Sequence, residues 1–364
     1  MIERKPITLD NKSISKQLKD KTILITDAAG SIGSEMVRQV LGFIPKVVVI
    51  LDQSETPLHQ MCLEMNELNL NSKIFSVIGD VRNKEAMENV FQKYEPQVVF
   101  HAAAYKHVPL MEENPSQAIL TNIEGTKILA DLSCLYKVKK FVTVSTDKAV
   151  NPSNVMGASK RIAEKYVQSL QFKNKNTGEK NNTKFITTRF VNVLGSNGSV
   201  VPLFTKQIAN GGPITIKHPD IIRYFMTIPE ACQLVLEAGA MGNGGEIYIF
   251  DMGKSVKIVD LARKMIKLAE FVQERDIKIQ IVSLRPGEKL YEKLLNDTSK
   301  TFPTYHEKIM IAEEILEDFD GLNVDIIELI QIANHFDEDQ IVAKIKQIVP
   351  KFKSMNSTFE LLDK

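Results

Sequence analysis

Five short runs of mostly β-branched and apolar residues, Thr22–Thr26, Val47–Asp52, Ile74–Ile78, Val98–His101 and Phe141–Ser145, punctuate the N-terminal half of the chain. Between them lie longer amphipathic segments, among them Ser34–Leu41, Thr56–Leu68, Lys84–Tyr94 and Asn122–Leu135. Strands that stay apolar along their length must be covered on both faces. Alternation with helices achieves this as a parallel sheet between two helical layers. The pattern therefore predicts an α/β fold built on a doubly wound parallel sheet. A long helical pattern follows Ala158, and the polar stretch Phe172–Lys184 reads as an exposed loop. Strand-like Phe185–Val193 comes next, and from Ser196 to about Lys217 glycine and proline break the periodicity. Gly244–Gly253 reads as one more sheet strand, with a helix over Ile258–Glu270. The reading places a cofactor domain at 20–195 plus 240–275. A smaller mixed substrate domain takes 196–239 plus 276–330, and 331–364 forms a helical C-terminal tail.

At 364 residues the chain can form one large or two unequal domains. With 46 Lys+Arg against 45 Asp+Glu the net charge is +1, and no broad field favours nucleic acid or an anionic membrane as partner. Cys62, Cys134 and Cys232 lie far apart, which offers neither a disulfide framework nor a metal-type pairing, and no metal is expected. The first residues are polar and lack the apolar core of a signal peptide. No run approaches the roughly 20 apolar residues of a membrane span. A soluble, cytoplasmic protein without a membrane segment is expected.

The strand KTILIT runs directly into DAAGSIGSEMVRQVL. Gly30 and Gly33, with Ser31 and Ile32 between them, leave the backbone bare where a helix begins. A pyrophosphate can there approach amide groups at the positive end of the helix dipole. The second strand ends in Asp52, 22 residues after Gly30, where a carboxylate can accept hydrogen bonds from an adenosine ribose. The same carboxylate would repel a 2′-phosphate, which favours NAD over NADP. Asp80 and Val81 after the third strand, and Ala102 and Ala103 after the fourth, add small or polar positions along the cofactor edge. One member of the glycine pattern is missing: Asp27 stands where the first glycine is expected. Aspartate tolerates a left-handed backbone, yet it brings a carboxylate close to the pyrophosphate. Taken alone, two glycines could simply allow close helix–strand packing. Asp52 at the right strand end favours the cofactor.

Thr146, Asp147 and Lys148 put a hydroxyl, a carboxylate and an amine side by side at the carboxyl end of the fifth strand, where ligands of such sheets bind. An acid beside an amine suits a reaction that removes one proton and donates another. To act as a base Lys148 must be partly neutral near neutral pH, which needs desolvation or a cationic neighbour. In isolation the pair would be an ordinary strand-end ion pair. Met156 and Lys160 lie four residues apart and face the same way on a helix. In isolation they would be a core methionine and a solvated helix charge.

Six stretches change those readings: AAGSIGSE, HAAAYKHVPLME, STDKAVNPSNVMGASK, NVLGSNGSVVPLF, RYFMTIPEA and LRPGEKLYE, in this order from about Lys21 to Glu292. Together they resemble the extended short-chain dehydrogenase/reductases, and within them the polysaccharide-biosynthesis, CapD-like branch of nucleotide-sugar 4,6-dehydratases. The resemblance implies a Rossmann domain holding NAD and a nucleotide-linked N-acetylhexosamine, UDP-N-acetylglucosamine, as substrate. In the parent superfamily the positions of Met156 and Lys160 hold Tyr and Lys, the phenol as acid/base and the lysine on the nicotinamide ribose. Met156 neither titrates nor donates a strong hydrogen bond, and methionine there marks the branch that retains configuration at C5. If Lys160 keeps its ribose role, the 4-hydroxyl proton goes to Thr146, Asp147 or an ordered water. The implied reaction oxidises C4 on bound NAD, removes the C5 proton so that the C6 hydroxyl leaves as water, and returns the hydride to C6. By the same resemblance Lys148 is the C5 base, Asp147 the acid for the leaving hydroxyl, and Thr146 bonds the 4-hydroxyl.

Tyr105, Lys106 and His107 should border the hexose, although a lone histidine is more usually structural. Arg189 and Asn192 end the sixth strand. The loop Gly195–Pro202, with Ser199 and Val200, is where the family holds its nucleotide diphosphate. Arg223 and Arg285 offer guanidinium forks suited to phosphate, and Glu288 can accept hydrogen bonds from a ribose. Val191 replaces a glycine common in relatives, which would reshape the sugar or nucleotide fit. The product would feed bacterial surface glycan or nonulosonic-acid synthesis. Relatives often carry an N-terminal membrane region; the chain corresponds to their catalytic part or to a compact soluble form, and a homo-oligomer is expected. Three alternatives stay open. A GDP-linked sugar is one, and a nucleotide-sugar C4 epimerase, which has no need of Asp147 and Lys148, is another. A non-catalytic nucleotide-binding protein is the third. Asp27 and Met156 speak for it, the joint presence of Asp147, Lys148 and Lys160 against it.

Overall fold

The computed structural model describes residues 7, 9–68, 70–176, 183–292, 300–314 and 317–363. A first helix, α1 (Asn11–Leu18), starts at Asp10, whose carboxylate accepts the N–H groups of Lys12 and Ser13. Then β1 (Thr22–Thr26), α2 (Ser31–Leu41), β2 (Val47–Asp52), α3 (Glu55–Asn66), β3 (Lys73–Ile78), α4 (Lys84–Tyr94) and β4 (Val98–His101) alternate as expected. The short helices α5 (Val108–Glu113) and α6 (Pro115–Ala118) lead through a π-helical turn, Ile119–Glu124, into α7 (Gly125–Leu135). After them come β5 (Lys140–Thr146), α8 (Val155–Asn176) and β6 (Lys184–Phe190).

The second half is more broken. It holds β7 (Asn192–Leu194), α9 (Val200–Ala209), β8 (Ile214–Ile216), β9 (Ile222–Arg223), β10 (Phe225–Thr227), α10 (Ile228–Met241) and β11 (Ile247–Phe250). Then follow β12 (Val256–Lys257), α11 (Ile258–Leu268), β13 (Ile279–Ile281), β14 (Thr301–Pro303), β15 (Ile309–Ala312), α12 (Phe319–Asn334) and α13 (Glu338–Ile348).

Nine strands form one sheet in the order β14-β15-β11-β6-β5-β4-β1-β2-β3, and the pairs from β11 to β3 are all parallel. β15 and β14 close the other edge antiparallel. The expected doubly wound α/β fold is therefore present. Chain order reverses between β1 and β4, so the loops leaving these two strands diverge and open a crevice at their carboxyl ends. One sheet face is covered by residues of α2 and α10, the other by α4, α7 and α8, joined there by Leu322, Ile326 and Leu329 of α12 and Ile341 and Ile345 of α13. A separate apolar cluster, including Phe204, Ile214, Ile221, Leu261 and Ile277, gathers the broken segments beside the sheet. Among the described residues no helix is long and apolar enough to cross a membrane.

Three sequence expectations shift. The loop read over Phe172–Lys184 is helical as far as Asn176, because Gln171 is buried and its side-chain oxygen accepts the Phe185 N–H at 2.8 Å. Residues 177–182 lie outside the described residues. The strand read over Phe185–Val193 breaks at Val191, and β7 leaves the large sheet to pair with β10. The strand read over Gly244–Gly253 narrows to Ile247–Phe250, since Gly244 and Gly245 turn with φ of 110° and 96°.

Candidate active site

The glycine-poor turn forms the floor of the crevice. β1 passes through Asp27, at φ 54°, into α2, whose first N–H groups open behind Gly30. A Cβ on Gly33 would lie 1.9 Å from the Asp27 carbonyl oxygen, so only glycine lets the helix come this close to the turn. Asp52, buried at the end of β2, accepts the N–H groups of Ala29 at 3.0 Å and Ser54 at 2.8 Å. It thereby ties the turn to the neighbouring strand.

The end of β4 is fixed by a buried chain of hydrogen bonds. The Thr26 Oγ1 accepts the N–H groups of Ala102 and Ala103, both at 3.2 Å, which leaves its own proton for His101 Nδ1 at 2.9 Å. Nε2 of that ring then donates to Thr126 Oγ1 at 2.9 Å, and Thr126 donates to the Asn122 carbonyl at 2.7 Å. Burial, reinforced by the charge of Lys160, pushes the pKa of His101 down to about 3, so the ring is neutral as this chain requires. The Asn122 side chain in turn brackets Tyr105, accepting its N–H at 2.8 Å and donating to its carbonyl at 3.1 Å, and reaches Ser159 Oγ on α8 at 2.9 Å.

Above this frame lies a cleft of about 400 Å³. Gly30, Ser31, Ile32, Ala102 and Lys160 of the expected cofactor residues line it, as do Tyr105, Lys106, His107, Asn192 and Ser199 of the expected substrate residues. Thr146, Lys148 and Met156 complete the wall. Asp52, Val81 and Ala103 line a smaller adjoining cleft with Gly79 and Thr121, and Asp27, Ala104 and Tyr105 border both. Gly33 lies beneath, against the turn. Polar atoms of Asn192, Ser199 and Thr121 in these walls are buried without a hydrogen-bond partner, as expected where a polar ligand is to be received.

At the end of β5, the Thr146 hydroxyl donates to Asp147 Oδ1 at 2.8 Å and the Lys148 ammonium donates to the same oxygen at 3.0 Å. Asp147 is 1% exposed and sits behind the cleft wall, with Oδ2 lacking a partner. Glu292 lies 3.8 Å from the Lys148 nitrogen. Burial alone would push the pKa of Lys148 down, but the carboxylates of Asp147 and Glu292 outweigh it and hold the pKa above lysine's ordinary range. The partly neutral state that a base at Lys148 requires is therefore not the resting one: beside the carboxylates of Asp147 and Glu292 the lysine rests as an ammonium ion. Lys160 differs. Burial pulls its pKa down to about 8 against the opposing charges of Glu164 and Asp27. Burial also lowers Lys106, and lowers His107 with help from Lys106 and Arg285. A Cβ on Gly198 would lie 2.5 Å from the His107 ring, so the turn ahead of α9 rests directly on it; the loop read over Gly195–Pro202 is helical from Val200.

Several expected contacts lie elsewhere. Asp80 is held by Arg82, with oxygen–nitrogen distances from 2.5 to 3.0 Å, and is not among the residues lining either cleft. Val200 packs against the separate apolar cluster. Arg189 is buried and doubly hydrogen-bonded to Glu164 at 2.7 and 2.6 Å, with Glu314 at 2.8 Å, so it has no free donor face for a substrate. Arg223 donates to the carbonyls of Ile222, Leu290 and Lys289 at 2.6–2.9 Å. Arg285 pairs with Glu288 at 3.0 Å, and Glu288 also pairs with Lys217. Neither arginine is among the residues lining the cleft, and both brace the loop that carries Glu288. That loop is docked at the start of α8, where the side chain of Asn154 donates to the Gly287 carbonyl at 2.9 Å. Thr26, Asn122 and Glu292 were not singled out from the sequence. Each acts through a partner distant in the chain, and only Glu292 fell within one of the quoted motifs.

Residues 23–314 match the family described as polysaccharide biosynthesis protein. The chain belongs to that family. It is 48% identical over 343 residues to the capsular polysaccharide biosynthesis protein CapD of Staphylococcus aureus, covering 94% of this chain and 56% of the relative. It thus spans about half the length of that polysaccharide biosynthesis protein. A UDP-glucose 4-epimerase of Rickettsia rickettsii is 35% identical over 76% of this chain and 78% of its own. Among solved structures, Pen from Bacillus thuringiensis superposes with a TM-score of 0.74 at 35% identity, covering 81% of this chain and 87% of Pen. The resemblance to CapD-like extended short-chain dehydrogenase/reductases read from the six motifs holds for this member of the polysaccharide biosynthesis family.

Proposed function

We propose that the chain is an NAD-dependent 4,6-dehydratase of UDP-N-acetylglucosamine that retains configuration at C5 and serves surface-glycan synthesis. The observation that carries this reading is the Thr146–Asp147–Lys148 cluster at the cleft, opposite a lysine at 160 and a methionine at 156. The cleft fits a dinucleotide: the backbone is bare at Gly30, unpartnered polar atoms wait in the wall, and a buried carboxylate ends β2. Gly30, Ser31 and Ile32 would hold its pyrophosphate, Asp52 the adenosine ribose and Lys160 the nicotinamide ribose. When bound, NAD stores the hydride between C4 and C6 of the sugar.

The residues then divide the proton work. Met156 takes no part in it. Passing one proton across the 3.0 Å contact from the Lys148 nitrogen to Asp147 Oδ1 turns the resting ion pair into a neutral amine and a carboxylic acid. Excluding water favours that uncharged pair. The amine takes the C5 proton, acidified by the C4 ketone. The leaving C6 hydroxyl takes the Thr146 proton, which Asp147 replaces through their 2.8 Å hydrogen bond. As the hydride reaches C6 the Lys148 ammonium returns a proton to C5, and the proton lost from the 4-hydroxyl on oxidation recharges the lysine, so the protons balance and water alone is released.

A C4 epimerase is the competing reading, favoured by the identity to the Rickettsia enzyme. It leaves the Asp147–Lys148 pair unused. Incubation with UDP-N-acetylglucosamine separates the two by mass: a product lighter by one water supports the dehydratase, and an isomer of equal mass the epimerase. In deuterated water the dehydratase product should carry deuterium at C5 with the original configuration. An inverted C5 signal by NMR would remove the argument from Met156.

A further inference from the structure

Asp27 has no place in the chemistry above, yet its side chain occupies a position of consequence. Its Oδ2 lies 2.1 Å from the point where a Cβ on Gly30 would sit, and its Cγ 2.5 Å from it. The carboxylate therefore rests on the bare backbone at the start of α2, an eleven-residue helix whose first amides have no side-chain cap. Among the described residues no hydrogen-bond donor is assigned to it. The residue sits at φ 54°, in the left-handed region that a glycine would adopt freely, and it borders both clefts.

We propose that the Asp27 carboxylate occupies the seat of the cofactor's pyrophosphate, so that dinucleotide binding must displace or neutralise an anion supplied by the chain itself. The inference rests on the NAD reading above. Two anions cannot share one helix terminus in a half-buried cleft without strong repulsion. The charged groups that face Asp27 are Asp52 at the end of β2, Lys106 after β4 and Lys160 on α8. Burial, and then the charge of Asp52, raise the pKa of Asp27 to about 7 against the pull of the two lysines. The carboxyl is thus poised to take up a proton near neutrality, and the arriving pyrophosphate raises its pKa further. Binding then draws a proton from solution, and affinity falls as pH rises through neutrality.

NAD binding is measured by titration calorimetry for the unmodified protein, Asp27→Asn and Asp27→Gly from about pH 6 to 8.5, in buffers of different ionisation enthalpy. The unmodified protein should bind roughly tenfold more weakly at the alkaline end and take up a fraction of a proton per NAD near pH 7. Both variants should bind more tightly than the unmodified protein at the alkaline end and lose the proton uptake that Asp27 contributes near pH 7, keeping only the smaller uptake from the lysines. Loss of charge on Lys106 and Lys160 also weakens binding at high pH. That slope persists in both variants, whereas the Asp27 contribution vanishes. Equal affinities across the three proteins, with equal proton uptake, would overturn the proposal. If none of the three binds NAD, the cofactor reading itself fails and takes this inference with it.

Discussion

Replacing Lys148 by arginine should lower the turnover of UDP-N-acetylglucosamine by about a thousandfold or more while leaving NAD affinity within about twofold. The guanidinium keeps a positive charge beside Asp147 and Glu292, so the buried carboxylates retain a partner and the fold is preserved. It cannot become a neutral base at any accessible pH. Lys148→Met should lose as much activity, but it also strands Asp147, and the arginine variant isolates the chemistry from that structural loss. Oxidation at C4 does not need Lys148. The arginine variant should therefore still develop NADH absorbance in a single turnover while exchange of the C5 proton with deuterated water ceases. The pH profile gives a second check. The active neutral pair and the resting ion pair hold the same number of protons, so activity should stay level as pH rises until the elevated pKa of Lys148 is reached. A lysine acting without Asp147 would instead gain activity steadily with pH. Retention of more than a tenth of the activity in Lys148→Arg would rule out Lys148 as the C5 base.

The parallel sheet was legible because its inner strands are buried on both faces, which leaves short uninterrupted apolar runs. β1, β2 and β4 occupy the residues expected of them, and β3 and β5 begin one residue earlier. The crevice followed from strand order, and the residues expected to line it from their place immediately after strand ends. What the sequence concealed were pairings across the fold. Nothing local distinguishes Arg189, consumed by Glu164 and Glu314, from Asn192 three residues later, which faces the cleft with an unpartnered amide. Glu292 is far from Lys148 in sequence and lies 3.8 Å from it in space, where it adds to the charge of Asp147 in holding the lysine's pKa up against burial. Arg223 and Arg285 sit in loops rich in turn residues, the usual surroundings of a phosphate ligand. Arg223 turns its donors to the carbonyls of that loop, and Arg285 pairs with Glu288 within it.

The buried pairing around Arg189 sets the second large expectation, for stability. Arg189→Met should destabilise the protein by about 3–5 kcal/mol, since it leaves Glu164 and Glu314 as buried charges with a partner removed. Arg161 still reaches both carboxylates, at 3.1 and 2.6 Å, but it is the more exposed of the two arginines and cannot solvate Glu164 alone. Burial tends to raise the pKa of Glu164, yet the charge and hydrogen bonds of Arg189, assisted by Arg161, hold it down at about 2. A carboxyl depressed in the folded state contributes stability that is full above its ordinary 4.5 and is lost as pH falls from there toward 2. The gap between the unmodified protein and Arg189→Met should accordingly be widest at neutral pH and close as pH falls, from the pH at which the stranded Glu164 takes up a proton in the variant down toward 2, as read by urea unfolding. Adding Glu164→Gln to Arg189→Met should recover part of the loss at neutral pH, because it removes the stranded charge. A neutral-pH loss below about 1 kcal/mol would mean that water reaches these carboxylates and that the network between β6, α8 and the segment after β15 is not a structural clamp.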